Sequence, residues 1–128
     1  MFLAQNSEHP IYLQLASAIE DDILSGLFQE DTQIISTTEL SITLSINPAT
    51  ANKAINLLVD QELLYKKRGM GMFVTPGARE KILLRRKERF KDDFVLPLLK
   101  EAGKINLSAD DVIAILTKEG NDDESDRA

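Results

Sequence analysis

The chain has 128 residues, enough for one compact domain with an appendage and too few for two full domains. Hydrophobic residues make up 43% of it, and the absence of cysteine excludes disulfides and thiolate chemistry. No apolar run approaches the ~20 residues of a membrane span. We therefore expect a cytoplasmic protein. The formal net charge of -6 excludes a uniformly basic protein.

A long amphipathic helix is predicted first, between Pro10 and Leu27. Pro10 is favourable at the start of a helix, and Ser25 with Gly26 marks its end. The apolar residues recur every four positions and therefore share one face: Ile11, Leu15, Ile19, Ile23 and Leu27. After a polar stretch, the short apolar run 33–35 is compatible with a strand.

Two start signals for helices follow in close succession. Ser36 and Glu39 have the spacing of a capping box, and Asn47 before Pro48 is a second favoured helix start. Two short helices joined by a tight turn are typical of a helix-turn-helix. The second of them carries an apolar face at Ala51, Ala54, Ile55 and Leu58.

The period of the pattern then changes to that of strands. Residues 63–67 and 72–75 are strand-like runs, and the segment 68–71 between them has glycines that permit a hairpin turn. A helix-turn-helix followed by a hairpin with a basic tip predicts a winged helix-turn-helix DNA-binding domain over residues 1–76.

Residues 77–120 are predicted to be a helical dimerisation segment. One long helix over 78–101 has a kink at Pro97, and a last helix begins at Ser108 and ends at Gly120. The acidic residues 121–128 are predicted to be a disordered tail. The fold class is thus mainly α with a small β-hairpin wing. The side chains predicted to lie in the dimer are Leu83, Phe90, Phe94, Leu98, Val112, Ile113 and Leu116.

The outward face of the predicted helix-turn-helix suits the major groove of DNA. If the apolar stripe faces the core, Ala49, Asn52 and Lys53 point outward and Thr50 lies on the flank. Asparagine can bridge adenine, lysine can reach guanine, and an alanine or threonine methyl can touch the thymine methyl. Since a recognition helix enters the groove by its N-terminus, Asn47 also belongs to this face. The alternative, an ordinary solvated face, usually carries more glutamate and lysine.

Charge along the chain also favours a polyanionic partner. Residues 53–91 hold eleven basic and four acidic residues, although both flanking regions are acidic. Lys66, Lys67 and Arg68 lie where a wing passes along the DNA backbone, with an ordinary charged hairpin as the alternative. The basic run 79–91 has two interpretations, a solvated flank that supports DNA contact or a surface that pairs with an acidic partner subunit.

Candidate catalytic residues and metal ligands are not found. His9 is the only histidine, and neighbouring acids such as Asp110 and Asp111 diverge by about 100° on a helix. We therefore expect no enzyme, no cofactor and no metal.

Four strings of the sequence resemble the GntR family of bacterial transcription regulators: PIYLQL at 10–15, ILSG at 23–26, NPATANKA at 47–54 and LYKKRGMGMFV at 64–74. The Asn-Pro start and a tail of about fifty residues resemble the YtrA-type subgroup, whose C-terminal part is two dimerising helices. The resemblance implies a homodimer on a pseudo-palindromic operator, usually as a repressor. It also assigns DNA contacts to Ser36, Thr50, Lys53, Arg68, Gly69 and Gly71.

Two positions depart from the family pattern. Thr38 stands where the family commonly has an arginine that touches DNA, and the recognition helix carries Asn52 and Lys53 where many relatives have arginines. We expect modest affinity for DNA as a result. The missing arginine also motivates an alternative, a winged-helix module that binds protein and has lost DNA binding.

The sequence thus predicts a sequence-specific DNA-binding transcriptional regulator. Its expected partners are operator DNA and a second copy of the chain, and no membrane. No convergent polar groups mark a ligand pocket, although an effector site could form between the tail helices of the dimer.

Overall fold

The computed structural model describes residue 3 and residues 9–127, except for the side chains of 123–127. Contacts divide the chain into two compact units, with the boundary in sequence between Arg85 and Arg86. In chain order, the elements are α1 (Ile11–Ser25), α2 (Thr37–Leu44), α3 (Pro48–Asp60), β1 (Leu64–Lys67), β2 (Gly71–Val74), α4 (Ala78–Phe90), a π-helical segment (Lys91–Val95), α5 (Leu96–Lys104) and α6 (Ala109–Arg127).

The core of the first unit lies where α1 and α2 pack against α3. Alanines on α3 let the helices approach closely, and each large aliphatic side chain buried there contributes about 1.5–3 kcal/mol. Leu27, predicted to share the apolar face of α1, is instead 71% exposed because the helix ends at Ser25. The buried side chains include Leu15, Ile19, Ile23, Leu40, Ala51, Ala54, Ile55 and Leu58.

The predicted start signals of the helix-turn-helix are confirmed. The hydroxyl oxygen of Ser36 accepts a hydrogen bond from the amide of Glu39 at 3.1 Å, and α2 begins at the next residue. Asn47 Oδ1 accepts from the amide of Ala49 at 2.8 Å, with Pro48 in the first turn of α3. These caps satisfy amides that the first turn of a helix leaves without a partner.

The predicted hairpin is present as an antiparallel pair in which Leu64 lies opposite Val74 and Lys67 opposite Gly71. The connection is therefore residues 68–70, and Gly71 belongs to β2, not to the turn. The loop before α2 runs beside this hairpin, since the Ile34 amide donates to the Met72 carbonyl at 3.0 Å. The run at 33–35 does not form a strand, because its pairing with β2 is limited to an isolated bridge between Gln33 and Phe73.

The first unit extends beyond residue 76, where the domain end was predicted. Ala78 and Ile82, in the first half of α4, are buried in its core. Arg79 Nε donates to the Leu24 carbonyl at 3.0 Å, which satisfies the C-terminal end of α1. Arg85 forms a partly buried ion pair with Glu20 at 2.6 Å. A helix whose first turns complete the core cannot be assigned wholly to the segment that follows.

The second unit begins within α4 and continues through the π-helical segment into α5. Pro97 explains the widened turn, because its ring clashes with the carbonyl four residues earlier and it has no amide proton to donate. The bend predicted at Pro97 thus coincides with a π-helical segment that ends two residues earlier, at Val95.

Helix α6 begins where its start was predicted, at Ser108, and with a capping box. The Ser108 hydroxyl accepts from the Asp111 amide at 3.1 Å, and Asp111 Oδ2 accepts from the Ser108 amide at 2.8 Å. The second bond lowers the pKa of Asp111, since it favours the charged carboxylate. Where α5 packs on α6, Ala102 and Val112 are buried.

The end of α6 differs from the prediction. The helix continues past Gly120 to Arg127, so residues 121–127 are helical and do not form the predicted disordered tail. A glycine inside a helix costs only about 1 kcal/mol relative to alanine, and no proline follows to end the helix. Ala128 lies outside the described residues. None of the described helices has the length and apolar character needed to cross a bilayer.

Candidate nucleic-acid interface

The outward face of α3 is polar and accessible. Asn47, Ala49, Asn52 and Lys53 are exposed and Thr50 is half-buried, while the opposite side of the helix lies in the core. The first acidic residue on this helix is Asp60, at its last position. The predicted orientation of the helix is confirmed, and its first three turns present amides, a hydroxyl and one ammonium group to solvent.

Lys53 has a partner that sequence reasoning missed. Its Nζ lies 4.0 Å from the ring centroid of Tyr12, a half-buried residue that packs against the core. A lysine over an aromatic face is attracted by the negative charge of the ring face. Nothing in the spacing of the sequence links positions 12 and 53, because the contact arises only when α1 packs on α3.

The N-terminus of α2 contributes a second polar edge. Ser36 and Thr38 are both exposed there. Because the Ser36 oxygen accepts from the Glu39 amide, a contact from Ser36 to an anion would use its hydroxyl proton. Thr38, which replaces the arginine of the family pattern, offers a hydroxyl in the first turn of the helix.

In the wing, the ammonium group of a lysine lies over stacked aromatic rings. Lys67 Nζ lies 4.4 Å from the ring centroid of Phe73, and that ring stacks on Tyr65 with centroids 5.8 Å apart. Arg68 and Gly69 are exposed at the tip, and Gly69 has a φ of 78°, a conformation that favours glycine. The predicted wing residues Lys67, Arg68 and Gly69 therefore lie together at one end of the hairpin.

Two contacts tie the hairpin to the loop before α2. The Tyr65 hydroxyl donates to Asp31 Oδ1 at 2.9 Å, and this bond together with the negative charge of Asp31 raises the pKa of Tyr65. The side-chain amide of Gln33 donates to the Met70 carbonyl. Sequence reasoning found neither contact, because each partner lies more than thirty positions away.

Gly71 has a structural requirement of its own. Its φ is 111°, and a Cβ built on it would stand 2.8 Å from Gln33 Nε2, closer than real Cβ contacts occur. Gly71 was predicted to touch DNA, and the structure gives it a further role, because its positive φ favours glycine and the missing Cβ leaves space for the Gln33 side chain.

Three residues of the basic run at 79–91 bond to other residues of the same chain. Arg79 and Arg85 make the contacts to α1 given above, and Lys81 Nζ lies 3.1 Å from Glu62 Oε2. Neither interpretation made from the sequence describes these three residues, because their partners belong to the same subunit. The exposed pair of Lys81 and Glu62 contributes little to stability.

The predicted dimer residues of the second unit are mostly exposed in the single chain. Phe90 and Phe94 face solvent with their rings 5.6 Å apart, whereas Val112 is buried under α5. Leu83 is half-buried and belongs to the first unit. An apolar surface of this kind is unusual on a monomer and indicates an interaction site. Its large exposed members are Phe90, Phe94, Leu96, Leu98, Leu99, Ile105, Ile113, Ile115 and Leu116.

Comparisons with known proteins agree with this arrangement. No family model matches the chain. Among curated proteins, the transcriptional repressor NagR of Bacillus subtilis is 31% identical over 83 residues, which are 65% of this chain and 34% of NagR. The chain spans about a third of that relative's length.

Two groups of solved structures resemble the chain. A GntR-family transcriptional regulator from Bacteroides thetaiotaomicron is 33% identical with a TM-score of 0.68, covering 90% of this chain and 99% of that one. The DNA-binding domain of AraR, solved in complex with operator ORX1, is 35% identical with a TM-score of 0.53, covering 59% of this chain and 93% of that one. The chain has a winged helix-turn-helix followed by a helical segment. Because it is also 33% identical to the Bacteroides regulator over 99% of that protein, the chain belongs to the GntR family of transcriptional regulators.

Proposed function

We propose that the protein is a sequence-specific DNA-binding transcriptional regulator that inserts α3 into the major groove. The observation that carries this proposal is the exposed face of α3, where Asn47, Asn52 and Lys53 are accessible and no acidic residue precedes Asp60. Amides and an ammonium group recognise base edges, and a capped helix N-terminus attracts phosphate. The operator complex of the similar AraR domain supports the same assignment.

The wing completes the proposed interface. Arg68 and Lys67 are exposed at one end of the hairpin, where they suit the phosphate backbone or the narrow, negative minor groove. Hydroxyls of Ser36 and Thr38 at the start of α2 supply further phosphate contacts in place of the missing arginine. Because a dimer brings Lys53, Lys67 and Arg68 twice, we expect affinity to fall steeply as salt rises.

We further propose a homodimer on a pseudo-palindromic operator, acting as a repressor of the YtrA type in the cytoplasm. The apolar surface of the second unit supports the dimer, and its two-helix form supports the subgroup. A two-fold dimer places its two recognition helices on half-sites separated by about one turn of DNA, ~34 Å. NagR, named as a repressor, supports the sign of regulation.

The test is selection of duplexes from a random pool, followed by binding titrations at several salt concentrations. We expect a two-fold symmetric motif, and affinity for it falls as salt rises. Lys53→Ala should weaken binding about ten- to a hundredfold and relax preference at one base position. Arg68→Ala should reduce the salt slope by about two, one for each subunit of the dimer.

Lys118→Ala serves as the matched control, because Lys118 is an exposed lysine on α6. It should bind the selected duplex like the wild type. Failure to enrich any motif, or unchanged binding by both Lys53→Ala and Arg68→Ala, would overturn the proposal and favour a module that binds protein.

A further inference from the structure

We propose that Gln33 is a positioning residue of the wing, whose side-chain amide sets the conformation of the turn that presents Arg68 to DNA. This inference rests on the proposed function and adds a residue outside the predicted interface. Gln33 lies in the loop before α2, and it forms an isolated antiparallel bridge with Phe73 of β2. From there its side-chain amide reaches the turn, where it donates to the Met70 carbonyl.

Two hydrogen bonds, both to the backbone of Met70, fix the tip of the hairpin. Inside the turn, the Met70 amide donates to the Lys67 carbonyl at 2.9 Å, which closes the connection between the strands. Outside the turn, the Met70 carbonyl accepts from the Gln33 side-chain amide. Both backbone polar groups of Met70 are therefore satisfied, the amide within the hairpin and the carbonyl by the preceding loop. We call Gln33, Met70 and Gly71 the wing clamp.

Gly71 makes the clamp possible. Its φ of 111° is strained for any other residue, and a Cβ there would meet Gln33 Nε2 at 2.8 Å. Gly69, by contrast, has open space around the position of a Cβ. The two glycines therefore serve different purposes: Gly69 permits the turn, and Gly71 leaves room for the amide of Gln33.

The clamp matters because the wing is short. Two four-residue strands form a hairpin that is marginal by itself, and the exposed tip carries Arg68 between Lys67 and Gly69. A turn that is fixed before binding loses less conformational entropy when its arginine contacts DNA. Removing the Gln33 donor should free the Met70 carbonyl and let the tip sample other conformations. The affinity contributed by Arg68 should then fall although Arg68 is unchanged.

The first arm of the test needs no DNA. Gln33→Met keeps the length of the side chain and removes the donor, and Gln29→Met changes another exposed glutamine of the same loop as a control. In Gln33→Met, the backbone amide signals of residues 69–71 should shift and the Met70 amide should exchange faster with solvent. The melting temperature should remain close to the wild type, because Gln33 is exposed. Unchanged wing signals would overturn the clamp.

The second arm is a double-mutant cycle on the duplex selected by the wild type. Gln33→Met should weaken binding roughly three- to tenfold with Arg68 present, as loss of one hydrogen bond allows, and should have little effect in an Arg68→Ala background. An equal loss in both backgrounds would overturn the positioning role, because Gln33 would then act independently of Arg68. Gln29→Met should bind like the wild type.

The two arms separate this inference from the proposed function. If the wild type selects no duplex, the proposed function fails and the positioning role fails with it, while the wing signals still show whether the clamp forms. If the wild type binds and Gln33→Met binds equally well, the positioning role alone is wrong.

Discussion

Lys53 shows how a single residue of the interface depends on the rest of the domain. Its ammonium group lies over the ring of Tyr12, which α1 carries at its start and which is half-buried against the core. An exposed cation–π contact contributes about 0.5–1 kcal/mol. That is enough to restrict a flexible lysine before it meets DNA.

Replacing Tyr12 tests this contact. Tyr12→Phe keeps the aromatic face and should leave the Lys53 side-chain methylene protons in the shielded positions that a ring current produces. Tyr12→Leu removes the ring and should move those proton signals toward the values of an unstructured lysine, with DNA affinity lower by roughly two- to fivefold. Identical Lys53 signals in the two variants would show that the ring does not hold this residue.

Tyr65 offers a test by pH. The hydrogen bond to Asp31 raises the pKa of Tyr65 above the usual value of about 10, so the folded protein holds this proton more tightly than the unfolded chain does. The stability that the bond contributes is therefore present at neutral pH and is lost as pH rises through the raised pKa.

Ultraviolet titration of tyrosinate formation should show one step above the ordinary tyrosine range, and Tyr65→Phe should remove it. Asp31→Ala removes both the acceptor and the charge, so it should return the step to the ordinary value. A titration step that stays raised in Asp31→Ala would contradict the assigned cause.

The residues that could be predicted from sequence are those whose partners are close in the chain. Ser36, Asn47 and Ser108 were assigned as helix caps because each bonds an amide two or three positions away. Tyr12 and Gln33 could not be found, because their partners are distant in sequence and the contacts exist only after the helices and the hairpin pack.

Among the elements, α3 begins with a residue that contributes both to stability and to the proposed recognition of DNA. Its cap Asn47 satisfies the Ala49 amide at 2.8 Å and is also exposed at the end predicted to enter the groove. Asparagine and aspartate are comparable caps, but only aspartate adds a negative charge. The two roles of Asn47 can therefore be separated by substitution.

Asn47→Ala should lower the free energy of unfolding by about 1 kcal/mol, because the amide at the helix start loses its partner. Asn47→Asp should keep the stability, since an aspartate also complements the helix dipole, yet it should weaken DNA binding by repelling phosphate. Chemical denaturation and binding titrations on the selected duplex measure the two effects. Wild-type affinity in Asn47→Asp would place this end of α3 away from DNA.

Element boundaries were predicted less well than element types, and the errors have a common cause. Starts are marked by side chains that bond the backbone, whereas ends depend on small differences in backbone preference. Gly120 does not stop α6, Gly71 belongs to β2, and the turn before Pro97 widens into a π-helical segment. In each case a residue that weakens a regular element was predicted to end or bend it, and the surrounding chain determined the outcome.

At the scale of the whole molecule, the basic residues of the middle segment fall into two groups, one exposed and one bonded within the first unit. Within residues 53–91, Lys53 and the wing residues face outward from the first unit, while Arg79 and Arg85 return to α1. The fold thus uses part of the basic segment to connect α4 to α1 and leaves another part exposed. Composition alone predicted the basic segment and could not predict this partition, because the partners of Arg79 and Arg85 lie more than fifty positions earlier.

The apolar surface of the second unit gives the last prediction, on the oligomer. Phe94 is 65% exposed in the single chain, so replacing it should cost the isolated unit little, whereas a charge buried in a dimer without a partner is strongly unfavourable. Phe94→Asp should therefore turn a wild-type dimer into a monomer in sedimentation experiments and leave the helical content unchanged. Leu27→Asp is the matched control, because Leu27 is 71% exposed but lies in the first unit, and it should remain a dimer.

Since a monomer holds only one half-site, the Phe94→Asp variant should also lose most of its affinity for a two-fold symmetric duplex. A dimer that survives Phe94→Asp would mean that the subunits meet elsewhere, and a monomeric wild type at high concentration would remove the two-fold arrangement on which operator recognition depends.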